Sequence, residues 1–157
     1  MQLLAQEEYG LRCLIQVARH PSPEPLTIPE IAEREGISPE YAAKLMRALR
    51  QSDFVVSTRG AGGGYRLSRP AGEITAWQVI QALGGSLFPA EFCDTHPGQL
   101  RDCVHSTGCL LRGLWSSVES AIRSVLEGVT LADLAREERT LIAIDGPPLE
   151  PKVQAAR

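Results

Sequence analysis

One stretch of the chain, TIPEIAEREGISPEYAAKLMRALRQS at residues 27–52, constrains the fold more than any other. Thr27-Ile-Pro-Glu30 is a capping box: the threonine oxygen takes an orphan N–H of the first turn, and the glutamate reaches back to the N–H of Thr27. The helix it opens is short, because Gly36 suits the left-handed conformation that ends helices. Ser38-Pro39 then opens another, with serine as N-cap and proline in the first turn. Two helices joined by a three-residue turn read as a helix-turn-helix. The second helix places Tyr41, Ala42, Leu45, Met46 and Leu49 on an inner face. Its other face offers Ser38, Glu40, Ala43, Lys44, Arg47 and Arg50.

Beyond the second helix the chain is strand-like. Phe54-Val-Val-Ser-Thr and Tyr65-Arg-Leu-Ser flank Arg59-Gly-Ala-Gly-Gly-Gly64, which predicts a β-hairpin with a flexible basic tip. A glycine-rich loop can also cradle phosphate in a nucleotide-using enzyme. That use needs a following helix, and in the P-loop a Gly-Lys-Ser/Thr run. Neither is present, and no nucleophile–base pairing stands out, so the chain does not read as an enzyme. A hairpin directly after a helix-turn-helix is a wing, whose glycines let backbone approach a sugar-phosphate chain closely.

Charge supports the same region. The net charge of −3 argues against general adhesion to polyanions, yet residues 40–70 carry six basic side chains against two acidic ones. From Glu73 onward the balance reverses, to eleven acidic and seven basic. A DNA contact therefore belongs to the middle segment.

Around this centre, residues 3–19 predict a helix with Leu11, Leu14, Ile15 and Ala18 in one stripe. Thr75-Ala-Trp-Gln78 is another capping box, and Gly84-Gly85 ends the helix it starts. Over residues 110–129, Leu111, Leu114, Trp115, Val118, Ile122, Val125 and Val129 recur at helical spacing. So long an apolar face in so small a chain predicts a homodimer. The expected organisation is a DNA-binding unit over 1–85 and a cysteine loop over 86–109. A dimerisation helix with a short capping helix covers 110–145, and a tail 146–157. No apolar run approaches the roughly 20 residues of a membrane span. MQLLAQEEYG lacks the basic and apolar regions of a secretory signal, so the expected location is cytoplasmic, with no membrane partner.

Three of the four cysteines lie in CDTHPGQLRDCVHSTGC, at Cys-x9-Cys-x5-Cys. Structural disulfides are rare where thiols stay reduced. Zinc would need His96 or His105 as a fourth ligand, and the usual close-spaced cysteine pairs are missing. An iron–sulfur cluster accepts wider spacing. Cluster, zinc and no metal at all remain open on spacing. Cys13, inside an apolar helix stripe, reads as a small core residue.

Taken together, EEYGLRCLIQVA, the helix-turn-helix, RGAGGGYRLSRPAGEITAWQVIQAL, CVHSTGCLLRGLW and VTLADL resemble the bacterial winged helix-turn-helix regulators typified by IscR and NsrR, over roughly residues 1 to 135. The resemblance implies a mainly α fold with a small β-hairpin and a homodimeric transcription regulator crossed by a long helix. It implies an iron–sulfur cluster, 2Fe–2S or 4Fe–4S, sensing redox state, nitric oxide or iron supply, with a cluster-free or zinc/thiol-based regulator of the same fold as the alternative. Cys93, Cys103 and Cys109 match the cluster cysteines, with a longer first gap. The position of the IscR-type histidine is Arg112, whereas Glu8 occupies the place of the acidic ligand that other members supply from the partner subunit. The recognition helix, with Ser38, Glu40, Tyr41, Lys44, Arg47 and Arg50, is implied to enter the major groove of operator DNA. Tyr41 suits packing as well as phosphate. The wing, with Arg59, Gly60, Gly62 and Gly63, is implied to enter the minor groove.

Overall fold

Helix α1 (Ala5–Arg19) buries Cys13 and Leu14 completely and Val17 almost so, because its apolar stripe is met on several sides. In the computed structural model, which describes residues 4–22, 24–60, 62–85, 103, 105 and 108–136, α1 touches most of the other described elements. These are α2 (Ile28–Glu35), α3 (Pro39–Gln51), strands β1 (Val55–Thr58) and β2 (Gly64–Leu67), and a 3₁₀ turn (Ala71–Glu73). Then come α4 (Ala76–Gly84), α5 (Leu110–Glu127) and α6 (Leu131–Ala135). The architecture is the mainly helical winged helix-turn-helix expected, with α1 beginning two residues later than its periodicity predicts.

The caps form as the side-chain chemistry demands. Thr27 Oγ1 accepts from Glu30 N–H, and the Glu30 carboxylate accepts from the Thr27 N–H at 2.9 Å and hydroxyl at 2.6 Å. Those bonds hold the Glu30 carboxyl below the usual carboxylate range. Gly36 closes α2 at φ 64°, and Ser38 Oγ accepts from Tyr41 N–H at 3.2 Å to open α3. On the far side, Glu35 accepts from Arg12 Nε at 2.6 Å and from Gln16 Nε2 at 2.5 Å, tying α2 to α1.

The wing is anchored to α3 by a corner. Asp53 takes a left-handed φ of 58°, which an aspartate tolerates better than most residues. Its carbonyl accepts from the Ser68 hydroxyl and from Arg69 Nη1, and the Arg69 guanidinium lies 5.2 Å from the Phe54 ring centre. β1 and β2 pair antiparallel, with Val55 opposite Leu67 and Thr58 opposite Gly64. Leu26 bonds the other edge of β2, exchanging N–H and carbonyl with Tyr65 at 3.0 and 2.8 Å.

The chain returns to this body after α5. Ala76 N–H donates to Val129 O at 2.9 Å and Leu131 N–H to Ile74 O at 2.7 Å, a short antiparallel bridge. Leu131 is fully buried, and Arg19 Nε donates to Ala135 O at 2.9 Å at the end of α6. Residues 129–135 thus pack on the body formed by 4–85. α5 touches that body at α4 but buries none of its own residues, and Leu110 is 90% exposed, Leu111 59% and Leu114 51%. No described helix is long and apolar enough to cross a membrane.

Gly64 is required for the wing's third edge, since a Cβ there would stand 2.6 Å from Leu26 O. Gly64→Ala is therefore expected to cost about 1–3 kcal/mol in urea unfolding, as overpacking does. A loss below that range would show that the Leu26 edge yields freely.

Candidate nucleic-acid interface and cysteine site

The outward face of α3 carries exposed Ser38, Glu40, Lys44, Arg47 and Arg50. Tyr41 behaves differently. It is half-buried, and its ring meets Tyr9 edge-on, centres 6.0 Å apart at 74°, with the Arg12 guanidinium 5.1 Å from the Tyr9 ring centre. Its ring packs α3 on α1. Arg50 Nη1 reaches Ser57 Oγ on β1 at 3.3 Å, joining the cationic helix to the wing.

In the wing, Arg59 is exposed and Gly60 has φ 110°. Gly63 N–H donates to Gly60 O at 2.9 Å, closing a tight tip, and a Cβ on Gly63 would stand 2.6 Å from Thr58 O. The tip's own geometry thus calls for two of these glycines, whereas Gly62 has open space around it. Charge counting over the basic segment misses one distinction. Arg66 is exposed on β2 opposite Val56 and extends the cationic surface. Arg69 is turned inward onto Phe54, Asp53 and Gln78. Strand alternation signals the first; only the packed corner reveals the second.

Of the cysteine site, Cys93 and His96 lie outside the described residues. Cys103 and Cys109 are free thiols, each partly exposed, and His105 is exposed. Cys109 is the N-cap residue of α5, where its side chain makes no capping bond. Glu8 is exposed on the first turn of α1. Among the described residues, no three His, Cys, Asp or Glu side chains gather where they could hold a metal ion. Cys13 lies in the core, and burial pushes its thiol up to about 12.

A family model described as "Rrf2: Iron-dependent Transcriptional regulator" matches residues 3–137. The chain belongs to the Rrf2 family. Protein rrf2 of Nitratidesulfovibrio vulgaris is 38% identical over 137 residues, covering 87% of this chain and 89% of that protein. The HTH-type transcriptional regulator IscR of Vibrio atlanticus is 36% identical over 141 residues, covering 90% of this chain and 79% of its own. Among solved structures, CymR, the global cysteine regulator of B. subtilis, superposes with a TM-score of 0.70 at 30% identity, over 86% of this chain and 96% of its own. T. potens IscR does so at 0.66 and 30%, over 85% of each chain. These Rrf2 relatives are regulators rather than enzymes, as the sequence leads one to expect. The family match spans both the helix-turn-helix and the cysteine-bearing stretch of this chain.

The setting of the thiols has a direct chemical consequence. In native protein at pH 8, iodoacetamide is expected to alkylate Cys103 and Cys109 and to leave Cys13 unmodified until denaturant is added, as mass spectrometry of peptides would show. Native labelling of Cys13 at the rate of the other two would contradict its place in the core.

Proposed function

We propose that this Rrf2 protein is a homodimeric transcription regulator that reads operator DNA and responds to redox state, nitric oxide or iron supply through an iron–sulfur cluster. The observation that carries the DNA part is the exposed cationic face of α3, tied through Arg50 and Ser57 to a glycine-tipped wing bearing Arg59. Lys44, Arg47 and Arg50 meet phosphates and base edges in the major groove, and Ser38 and Glu40 sit at the end of the helix that enters first. Arg59 enters the minor groove, where backbone at Gly60, Gly62 and Gly63 passes close to the sugars. Tyr41 orders α3 from behind.

Two-fold operators need a two-fold protein. The exposed leucines of α5, with Val125 at 41% exposure, support a second copy as the covering partner.

The donor chemistry fits an iron–sulfur centre. Cys103 and Cys109 are free and partly exposed, and Cys109 stands at the start of α5 without a capping bond of its own. With Cys93 they make three soft ligands, and the exposed carboxylate of Glu8 of the partner subunit serves as a hard, weak fourth. When bound, such a cluster supplies a centre that reacts with oxidants and nitric oxide. The likeness to CymR favours a second reading, in which the same exposed thiols act without a cluster.

Anaerobic purification tests the reading. Iron and sulfide are expected to bind the wild-type chain and Cys13→Ala and to be lost in Cys103→Ala. Wild-type protein without iron, sulfide or visible absorbance would transfer the function to the thiols.

DNA binding divides by residue. Lys44→Ala is expected to weaken all sequences and lower the salt slope of binding by about one. Arg59→Ala is expected to cost most on A·T-rich operators. Unchanged affinity of Arg59→Ala across a salt titration would remove the wing from the interface. A wild-type chain that sediments as a monomer at micromolar concentration would remove the dimer.

A further inference from the structure

The first turn of α1 carries two adjacent carboxylates in opposite settings. Glu8 is exposed, whereas Glu7 is only 3% exposed. One Glu7 oxygen, Oε2, accepts from the Leu4 N–H at 2.5 Å, half of a capping box that a leucine side chain cannot complete. The other, Oε1, lies against Gly84 at the end of α4, where a Cβ would collide with it. On either side of Glu7 the same two helix ends are joined again. Gln6 Nε2 donates to the Leu83 carbonyl at 2.5 Å, and Gly10 makes room for Leu83, whose Cδ1 a Cβ there would strike. Gly84 and Gly85 lead directly into the cysteine-bearing stretch, residues 86–109.

A carboxylate withdrawn from water is costly unless fixed donors receive it, and an apolar side chain of similar volume would fill this place at lower cost. Core stability alone therefore does not account for Glu7. We propose that Glu7 is a positioning residue for the metal site. It fastens the turn that bears Glu8 to the end of α4, after which the subunit's own cysteine-bearing stretch follows in sequence. This rests on the proposed function, in which Glu8 serves the partner subunit's cluster while Cys93, Cys103 and Cys109 hold the subunit's own. Each subunit then joins, through one contact, the ligand it gives away and the start of the cysteine-bearing stretch it keeps. The two clusters of a dimer are lost together rather than independently.

The test is the rate at which a ferrous chelator strips iron anaerobically from full-length holoprotein, together with hydrogen exchange of the amides at residues 4–8 in cluster-free protein. Glu7→Ala and Gly84→Ala are expected to release iron about tenfold faster than wild type, the scale on which groups behind metal ligands act. Both should also speed exchange at residues 4–8. Glu7→Gln retains an oxygen that accepts from Leu4 and is expected to behave as wild type. If Glu7→Ala does not fold, Gly84→Ala, which displaces the carboxylate without removing it, carries the test. Wild-type release in these variants beside fast release in Glu8→Ala would overturn the inference. Unchanged release in Glu8→Ala would instead overturn the proposed function on which it rests. Half-loaded dimers accumulating during release, as native mass spectrometry would count them, to the level expected for two independent clusters would remove the coupling between subunits.

Discussion

The structure depends on the burial of α1. Cys13, Leu14 and Val17 form the surface on which α2, α3, α4 and α6 are laid, and the wing strand β2 touches the same helix. Burying a side chain such as Leu14 contributes about 2 kcal/mol, and it does so only when elements distant in sequence converge on it. The shortest helices depend on such contacts most: α2 has eight residues and α6 five, far below the length at which a helix persists in water. Their stability is the stability of their contact with α1.

That dependence places the two functional regions on one support. The Tyr9 ring on α1 braces Tyr41 at the start of α3, and Arg12 both covers that ring and binds Glu35 of α2. Four residues before Arg12 stands Glu8. The first turn of α1 and the contacts that orient α3 thus belong to one helix. The wing receives its orientation separately, from the left-handed Asp53 and the Arg69 stack on Phe54. Helix and hairpin meet again at Arg50 and Ser57.

The end of α5 is held differently from its middle. Residues 129–131 are bonded to 74–76, and Leu131 is fully buried. The amphipathic length before them shows its leucines to solvent in the single chain. Such a helix is oriented at one end by the body and leaves part of its apolar face exposed. Arg123 over Trp77, at 5.9 Å from the ring centre, is a further link from α5 to α4.

Local chemistry was legible in the sequence wherever a backbone need is met by a residue a few positions away. Thr27 with Glu30, Gly36, Ser38 with Pro39 and Thr75 with Gln78 announce their helix ends because a cap is a short-range bond. Helical periodicity marked the inner and outer faces of α3 and the apolar length of α5 for the same reason. Glu7 escaped notice because its partner in the capping box is Leu4, a residue that sends no capping signal. Its burial comes from Gly84, at the far end of α4. Tyr41, Arg69, Leu26 and Leu131 could not be placed from sequence either, since each acquires its role from an element that only folding brings beside it. The sequence by itself determined which elements form and what chemistry they carry. Tertiary structure decided which of those groups are buried, braced or left exposed, because burial is a property of converging surfaces and not of any one segment.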